Sequence, residues 1–429
     1  MTFLRIWGAA LLLAYGSAVP AADLARATPE EVGLSSERLA RLEQVLKGYA
    51  DDKLLAGSVA LIARHGKVAW EFVSGKQDVD SRTPMQADSM FRIWSMTKPI
   101  TSVALLTLYE EGKFQLNDPA ETYIPAFKDL KVLDKVDENG KPVLVDQQPR
   151  KMSVLDLFRH TAGLGYGFSD NPVDKAYKDA GLVGFDPIPL DKVVAAIGTA
   201  PLNYQPGTRW MYSYAHDVQA YLVQSLSGMK YGEYLRKRLF EPLGMNDTSF
   251  GLPKDKLKRL TTVYGPKEPP AGVFSLEPLK PGMVVVEKAG EGPYLKHDKT
   301  PAGGTGLIST AEDYYRFAQM LVNGGEYNGV RILSRKTVEL MTANHVPAGV
   351  PGLLNPAVGY GLGVSSVVDA AGAANLGSRG QFGWGGYAST YVIMDPVEKF
   401  IAILMVQYQP TNFPLWQQFQ TLAYATIAD

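Results

Sequence analysis

The chain contains no cysteine. Thiol nucleophiles, thiolate metal sites and disulfides are excluded, so stability has to come from the core. Histidine is scarce: only His65, His160, His216, His297 and His345 occur, and none belongs to the H-E-x-x-H pair that holds a catalytic zinc. No serine lies in a G-x-S-x-G nucleophile elbow. Charge of one sign is lacking too. Lys and Arg number 43 against 44 Asp and Glu, for a net charge of −1, which provides no global field to hold nucleic acid.

What is present is ordinary for a globular protein: 429 residues, 46% hydrophobic and 20% charged. The N-terminus reads as an export signal. Arg5 precedes an uncharged, apolar or small stretch from Ile6 to Val19, followed by Val19-Pro20-Ala21. That run is short for a spanning helix, which needs roughly 20 apolar residues. The expectation is therefore a signal over 1–22 and an exported protein, periplasmic or secreted, with no membrane span once the signal is cleaved.

Residues 23–55 read as helical, with Ser35-Ser36-Glu37 opening an amphipathic run. Ser58–Ala63 and Val68–Val73 read as an antiparallel hairpin around His65-Gly66-Lys67. Ser95–Glu111 reads as a buried helix, because Pro99 is tolerated only within a first turn. The stretches 129–150 and 266–299 read as irregular excursions, the first as surface loop and the second as a site wall. Thr310–Asn323 is a capped helix. Gly359–Val364, Tyr387–Met394 and Phe400–Val406 read as strands, and Leu415–Ile427 as a last helix. Strands at both ends of the chain predict an α/β (α+β) architecture: an antiparallel sheet from 23–117 and 301–429, flanked by helices, with a mainly helical insertion over 118–300.

Three clusters can carry chemistry. In Ser95-Met96-Thr97-Lys98 the spacing i, i+3 puts the lysine beside the serine on one helix face. A serine hydroxyl needs such a proton-handling neighbour to act as a nucleophile, and a helix N-terminus favours developing negative charge. After the Pro206-Gly207 turn comes Tyr212-Ser213-Tyr214. A phenol beside an ammonium is eased towards its anion and can serve as a base. In Gly383-Trp384-Gly385-Gly386-Tyr387 the glycines allow close approach of a ligand, and an edge strand there would offer an N–H to a substrate carbonyl. Without a nucleophile elbow, His160 and His216 read as structural or supporting residues.

In order and spacing, these clusters resemble the serine beta-lactamase and penicillin-binding-protein superfamily. Leu157-Phe158-Arg159-His160-Thr161-Ala162-Gly163-Leu164 and Gly304-Thr305-Gly306-Leu307-Ile308-Ser309-Thr310 add to the likeness, which spans about Leu39 to Ala428. Within the superfamily the chain looks most like the family VIII carboxylesterases, relatives of the class C beta-lactamases. Tyr214 stands where those beta-lactamases have the asparagine of Tyr-x-Asn, and Trp384-Gly385-Gly386 replaces their Lys-Thr-Gly. The resemblance implies a beta-lactamase-like fold and a Ser95 acyl-enzyme, with Lys98 and Tyr212 as the proton-transfer pair. It implies an oxyanion hole from the N–H groups of Ser95 and Tyr387, substrate contacts from Trp384, Gly385, Gly386, Tyr214 and Trp94, and no metal or organic cofactor. An uncharged small ester suits a tryptophan in place of a cation. Beta-lactam or D-amino-acid peptide hydrolysis and acyl transfer share the same intermediate and remain alternatives. The intact Ser95, Lys98 and Tyr212 set argues against a non-enzymatic binding protein.

Overall fold

A computed structural model describes residues 23–429 apart from 183–185, 271, 273 and 354. The expected signal over 1–22 lies outside the described residues.

The first long helix, α1 (Ser36–Asp51), starts where the serine pair predicts, with Ser35 accepting the Arg38 N–H. Residues 23–34 are not part of it. Pro29 precedes a short 3-10 turn, and Gly33 at φ +72° ends that turn. Two strands follow, β1 (Gly57–Arg64) and β2 (Lys67–Asp78), paired as an antiparallel hairpin. A two-residue strand, β3 (Thr83–Pro84), continues on β2. The helix that carries Lys98 is α2 (Thr97–Glu110), and Gly112 at φ +71° follows its end.

The middle of the chain is helical in short pieces, among them Val154–Phe158, Leu190–Ile197 and α3 (Ala215–Ser227). The first excursion is an ordered hairpin, Val132–Val136 against Pro142–Val145, that leaves Val136 and Leu144 exposed. After α4 (Ala311–Val322), capped by Thr310, and a helix Arg335–Thr342 come the strands that complete the main sheet: β4 (Val358–Tyr360), β5 (Ser365–Val367), β6 (Phe382–Gly385), β7 (Tyr391–Asp395) and β8 (Phe400–Met405). The last helix, α5 (Phe413–Tyr424), is capped by Asn412.

The eight strands form one sheet in the order β4-β5-β6-β7-β8-β1-β2-β3. Its centre joins the two ends of the chain, with Val59 of β1 opposite Met405 of β8. Every residue of β1 is buried, and the strand alternates between two cores as a pleat requires. Val59, Leu61 and Ala63 pack with Ile100 and Val103 of α2 and Phe317 of α4. Ala60 and Ile62 pack with Leu39 and Leu42 of α1 and Phe419 of α5. The first core continues through Leu157, Tyr177 and Leu222, so the middle segment is built onto the same apolar interior as the sheet. Each Val, Leu, Ile or Phe side chain among them, fully removed from water, contributes about 1.5–3 kcal/mol.

Three strand expectations need correction. The run expected over Gly359–Val364 ends at Tyr360, because the chain turns at Gly363, φ +92°. The strand expected from Tyr387 begins at Tyr391; before it, the Gly386 N–H closes a turn onto the Thr390 carbonyl at 2.8 Å and Ser389 sits at φ +65°. The Gly-Trp-Gly strand, β6, is not an edge strand but lies between β5 and β7. Its β5 neighbour ends at Ser365, opposite Gly383, so Trp384 and Gly385 run past it.

Candidate active site

Ser95 sits where extended chain becomes helix. Phe91–Arg92 pairs with Leu307–Ser309, and the Ile93 N–H donates to the Leu307 carbonyl at 3.0 Å. Trp94 then turns the chain at φ +45°, a left-handed conformation that a bulky residue holds only when its surroundings enforce it. Here the Trp94 N–H donates to the Tyr294 hydroxyl at 3.0 Å. One residue beyond Ser95, the Met96 carbonyl accepts from the Tyr314 hydroxyl at 2.9 Å. A 3-10 turn, Trp94–Met96, leads into α2, with Pro99 in its first turn. The second excursion supplies part of this frame. Tyr294 packs edge-on against Trp94 at 4.8 Å, and Glu287 pairs with the fully buried Arg92 at 2.9 Å.

Two proton-bearing groups converge on the serine. Lys98 Nζ donates to Ser95 Oγ at 3.1 Å, and the Tyr212 hydroxyl lies 2.7 Å from the same oxygen. Lys98 is fully buried. Its ammonium also donates to the Gly304 carbonyl at 2.7 Å and stands 4.6 Å from the Tyr212 ring centroid, a cation–π contact that holds charge and phenol together.

Sequence reasoning missed the residue that organises the far side of this group. Asp217, on α3, is buried and accepts the N–H groups of Gly303 and Gly304 at 3.0 and 3.2 Å. That turns the Gly304 carbonyl towards Lys98. Burial pushes the Asp217 carboxyl upward, while Lys98 and the two N–H groups oppose the shift. The available signals were its place five residues after Tyr212, on the helix that Tyr212 precedes, and the paired glycines at 303–304. His160 and His216 stand behind Tyr212, fully buried and with rings 4.8 Å apart. Burial first, with Lys98 contributing, drives both well below the usual imidazole range, so both are neutral.

The expected substrate contacts divide. Trp384 is half-buried and packs 5.8 Å from the Tyr212 ring. Gly385 and Gly386 serve close packing by the protein itself. A Cβ on Gly385 would lie 2.1 Å from the Trp416 ring, and one on Gly386 2.5 Å from the Ile93 carbonyl. Tyr387 packs edge-on against Trp94 at 5.3 Å, which brings its segment beside the residue preceding Ser95. Tyr214 and Trp94 are only 6% and 7% exposed and so offer little surface to a ligand. Tyr214 stacks on Tyr166 at 4.6 Å, and Tyr166 stacks on Tyr212 at 5.5 Å. These rings form a wall that shapes the position of the phenol.

A cleft of about 810 Å³ lined by Leu190, Tyr231, Phe250 and Pro301 lies elsewhere and includes none of Ser95, Lys98 and Tyr212. Among the described residues no group of three or more His, Asp or Glu side chains could hold a metal ion, and no helix is long and apolar enough to cross a membrane.

Known proteins share both the sequence and the architecture. Protein Rv1367c of Mycobacterium tuberculosis is 34% identical over 388 residues, covering 85% of this chain and 89% of the relative. Esterase EstB of Burkholderia gladioli is 27% identical over 395 residues, covering 90% and 95%. Among solved structures, EstCE1, described as a hydrolase with promiscuous acyltransferase activity, superposes with a TM-score of 0.73 at 23% identity, over 90% of this chain and 99% of its own. The sequence profile of the beta-lactamase family matches residues 42–424. With its antiparallel sheet and its serine at the head of a buried helix, the chain belongs to the beta-lactamase family.

Proposed function

We propose that this protein hydrolyses small, uncharged carboxylic esters with short to medium acyl chains through a Ser95 acyl-enzyme. The observation that carries the reading is the convergence of Lys98 Nζ and the Tyr212 hydroxyl on one oxygen, Ser95 Oγ, at 3.1 and 2.7 Å. Tyr212, with Lys98 beside it, takes the serine proton as Oγ attacks the ester carbonyl. The tetrahedral oxyanion is received by the N–H groups of Ser95 and Tyr387. Tyr212 returns the proton to the departing alcohol. Water, deprotonated by the same pair, then attacks the acyl-enzyme and releases the acid. The half-buried Trp384 beside Tyr212 supports an uncharged substrate, since an indole presents an apolar face where a lysine would present a cation. The likeness to Esterase EstB supports the same substrate class.

The test is hydrolysis of p-nitrophenyl acetate, butyrate and octanoate beside nitrocefin, by the protein and by Ser95→Ala. Ester turnover well above nitrocefin turnover, both lost in the variant, is the expected result. Faster nitrocefin turnover would replace the esterase reading with a beta-lactamase or peptidase one.

Acyl transfer is the second reading. Tyr212, whose hydroxyl touches Ser95, packs against Tyr166 and Trp384, and Trp384 against Tyr360, so an aromatic cluster adjoins the serine, and the similar EstCE1 is described as having that side activity. Added alcohol that partitions the acyl group away from water would reveal it. The N-terminal reading belongs here as well: residues 1–22 are taken as a removable export signal, and N-terminal sequencing of exported protein should start after Ala21 or Ala22.

A further inference from the structure

We propose that His160 is the positioning residue for Tyr212, a role that rests on the Ser95 reading above. Both chain neighbours of Tyr212 are tied to this one residue. The Met211 N–H donates to the His160 carbonyl at 2.9 Å, and Ser213 Oγ is hydrogen-bonded to His160 Nδ1 at 3.1 Å. Between those two ties, the imidazole packs against the Tyr212 ring itself, centroid to centroid 4.8 Å. The segment that carries the phenol has no regular secondary structure of its own, so these contacts take the place of a helix or sheet ladder.

His160 is in turn held by a rigid support. Its backbone is left-handed, φ +56°, a conformation that persists only where the surroundings over-determine it. The surroundings here are Asp156. This buried carboxylate accepts from Arg159 at 3.0 Å and from Thr161 Oγ1 at 2.8 Å, the two neighbours of His160, and also from Arg150. Asp156 therefore clamps 159 and 161, and His160 clamps 211 and 213. The phenol is fixed through two successive pairs of ties.

The chemistry of the ring fits this task. Nε2 is buried with no hydrogen-bond partner among the described residues, so no two-ended network keeps a histidine there. A leucine would fill the space without the desolvation cost of an orphaned nitrogen. What the imidazole adds is Nδ1 against Ser213. It remains neutral in its buried site, so it makes that bond without placing a second cation beside Lys98.

The experiment compares His160→Leu, His160→Asn and Ser213→Ala by kcat and KM on p-nitrophenyl butyrate and by the rate of fluorophosphonate labelling at Ser95. Tyr424→Phe, remote on α5, serves as a control for lost stability. Misplacing a reacting group by about 1 Å costs up to roughly 100-fold. The expectation for His160→Leu is thus a fall in kcat and in labelling rate of about 10- to 100-fold with KM little changed. His160→Asn, which tolerates the left-handed backbone and keeps a polar group for Ser213, should restore much of the loss. Ser213→Ala should share the defect, and combining it with His160→Leu should add nothing further. Wild-type kcat and labelling in His160→Leu, a loss matched by Tyr424→Phe, or multiplicative losses in the double variant would each overturn the proposal. If His160→Leu does not fold, Ser213→Ala decides, and wild-type kcat there overturns it. Absence of labelling in the unaltered protein would overturn the Ser95 reading, whereas normal labelling that His160→Leu does not slow overturns only the role of His160.

Discussion

Asp217 and Lys98 meet across a single glycine: the carboxylate accepts the Gly304 N–H at 3.2 Å, and the ammonium donates to the Gly304 carbonyl at 2.7 Å. The anion thus holds the peptide that receives the cation, and contributes a balancing charge within the same buried volume.

Asp217→Asn keeps an oxygen for the two glycine N–H groups but removes that charge. An opposite charge nearby favours the ionised form, by about 1–3 pH units at close range. Without it, the kcat/KM profile against pH should be displaced from that of the unaltered protein. Stability should fall, because the buried ammonium of Lys98 loses its balancing charge. A pH–rate profile coincident with that of the unaltered protein would show that Asp217 acts only through geometry.

The paired glycines should fail in different ways when given a methyl group. A Cβ on Gly303 would lie 1.9 Å from the His216 carbonyl oxygen, which is backbone and cannot swing aside. One on Gly304 would lie 2.8 Å from Asp217 Oδ2 and 3.2 Å from Lys98 Nζ, both side-chain atoms. Gly303→Ala should lose at least about 1–3 kcal/mol of stability. Gly304→Ala should fold and lose roughly 100-fold in kcat. Urea midpoints set beside single-turnover acylation rates would distinguish the two, and equal effects at both positions would contradict the geometry.

Trp384→Lys exchanges the indole face, whose ring lies 5.8 Å from that of Tyr212, for a cation. The ratio of nitrocefin to p-nitrophenyl butyrate turnover should rise by about tenfold, equivalent to about 1.4 kcal/mol of differential binding. An unchanged ratio would remove Trp384 from the account of specificity.

The buried histidines make stability depend on pH. In the unfolded chain each imidazole takes a proton near pH 6.5, whereas burial holds His160 and His216 well below that value in the fold. Their contribution is complete above about pH 6.5. It is lost as the pH falls, because the unfolded chain then binds protons that the native state refuses. Both histidines steepen that fall as the pH drops below about 6.5. Urea midpoints between pH 7.5 and 5 should fall accordingly, and His216→Gln should fall less steeply. Parallel curves would assign the acid lability to other groups.

Local chemistry made some elements readable and left others hidden. β1 is readable because its run of Val, Leu, Ile and Ala is buried on both faces, and the start of α2 because Pro99 permits few alternatives. The Ser95, Lys98 and Tyr212 set is readable because two of its members lie one helical turn apart and the third follows a Pro-Gly turn. The role of Asp217 depends on its meeting residues 303 and 304, a contact between distant segments that leaves no local pattern. The Gly385-Gly386 pair shows a similar limit. Glycine announces a close approach but not its partner, and here the partner is Trp416 together with the Ile93 carbonyl. Tyr214 enters the expected contacts through its place in the Tyr-x-Asn motif, and only the packing of Tyr166 over it shows how little of its ring is exposed.

The sheet is closed at its middle by β1 and β8, from opposite ends of the chain, and Arg38 reaches the Ala425 carbonyl across 387 positions. The sheet therefore cannot be completed until both ends of the chain are present. Until β8 arrives, β1 presents a bare apolar strand edge, and the framework that carries Ser95 lacks its central partner. Contacts so distant in sequence make folding slow and leave intermediates prone to aggregate. The framework that holds Lys98 and Tyr212 around Ser95 is therefore completed late.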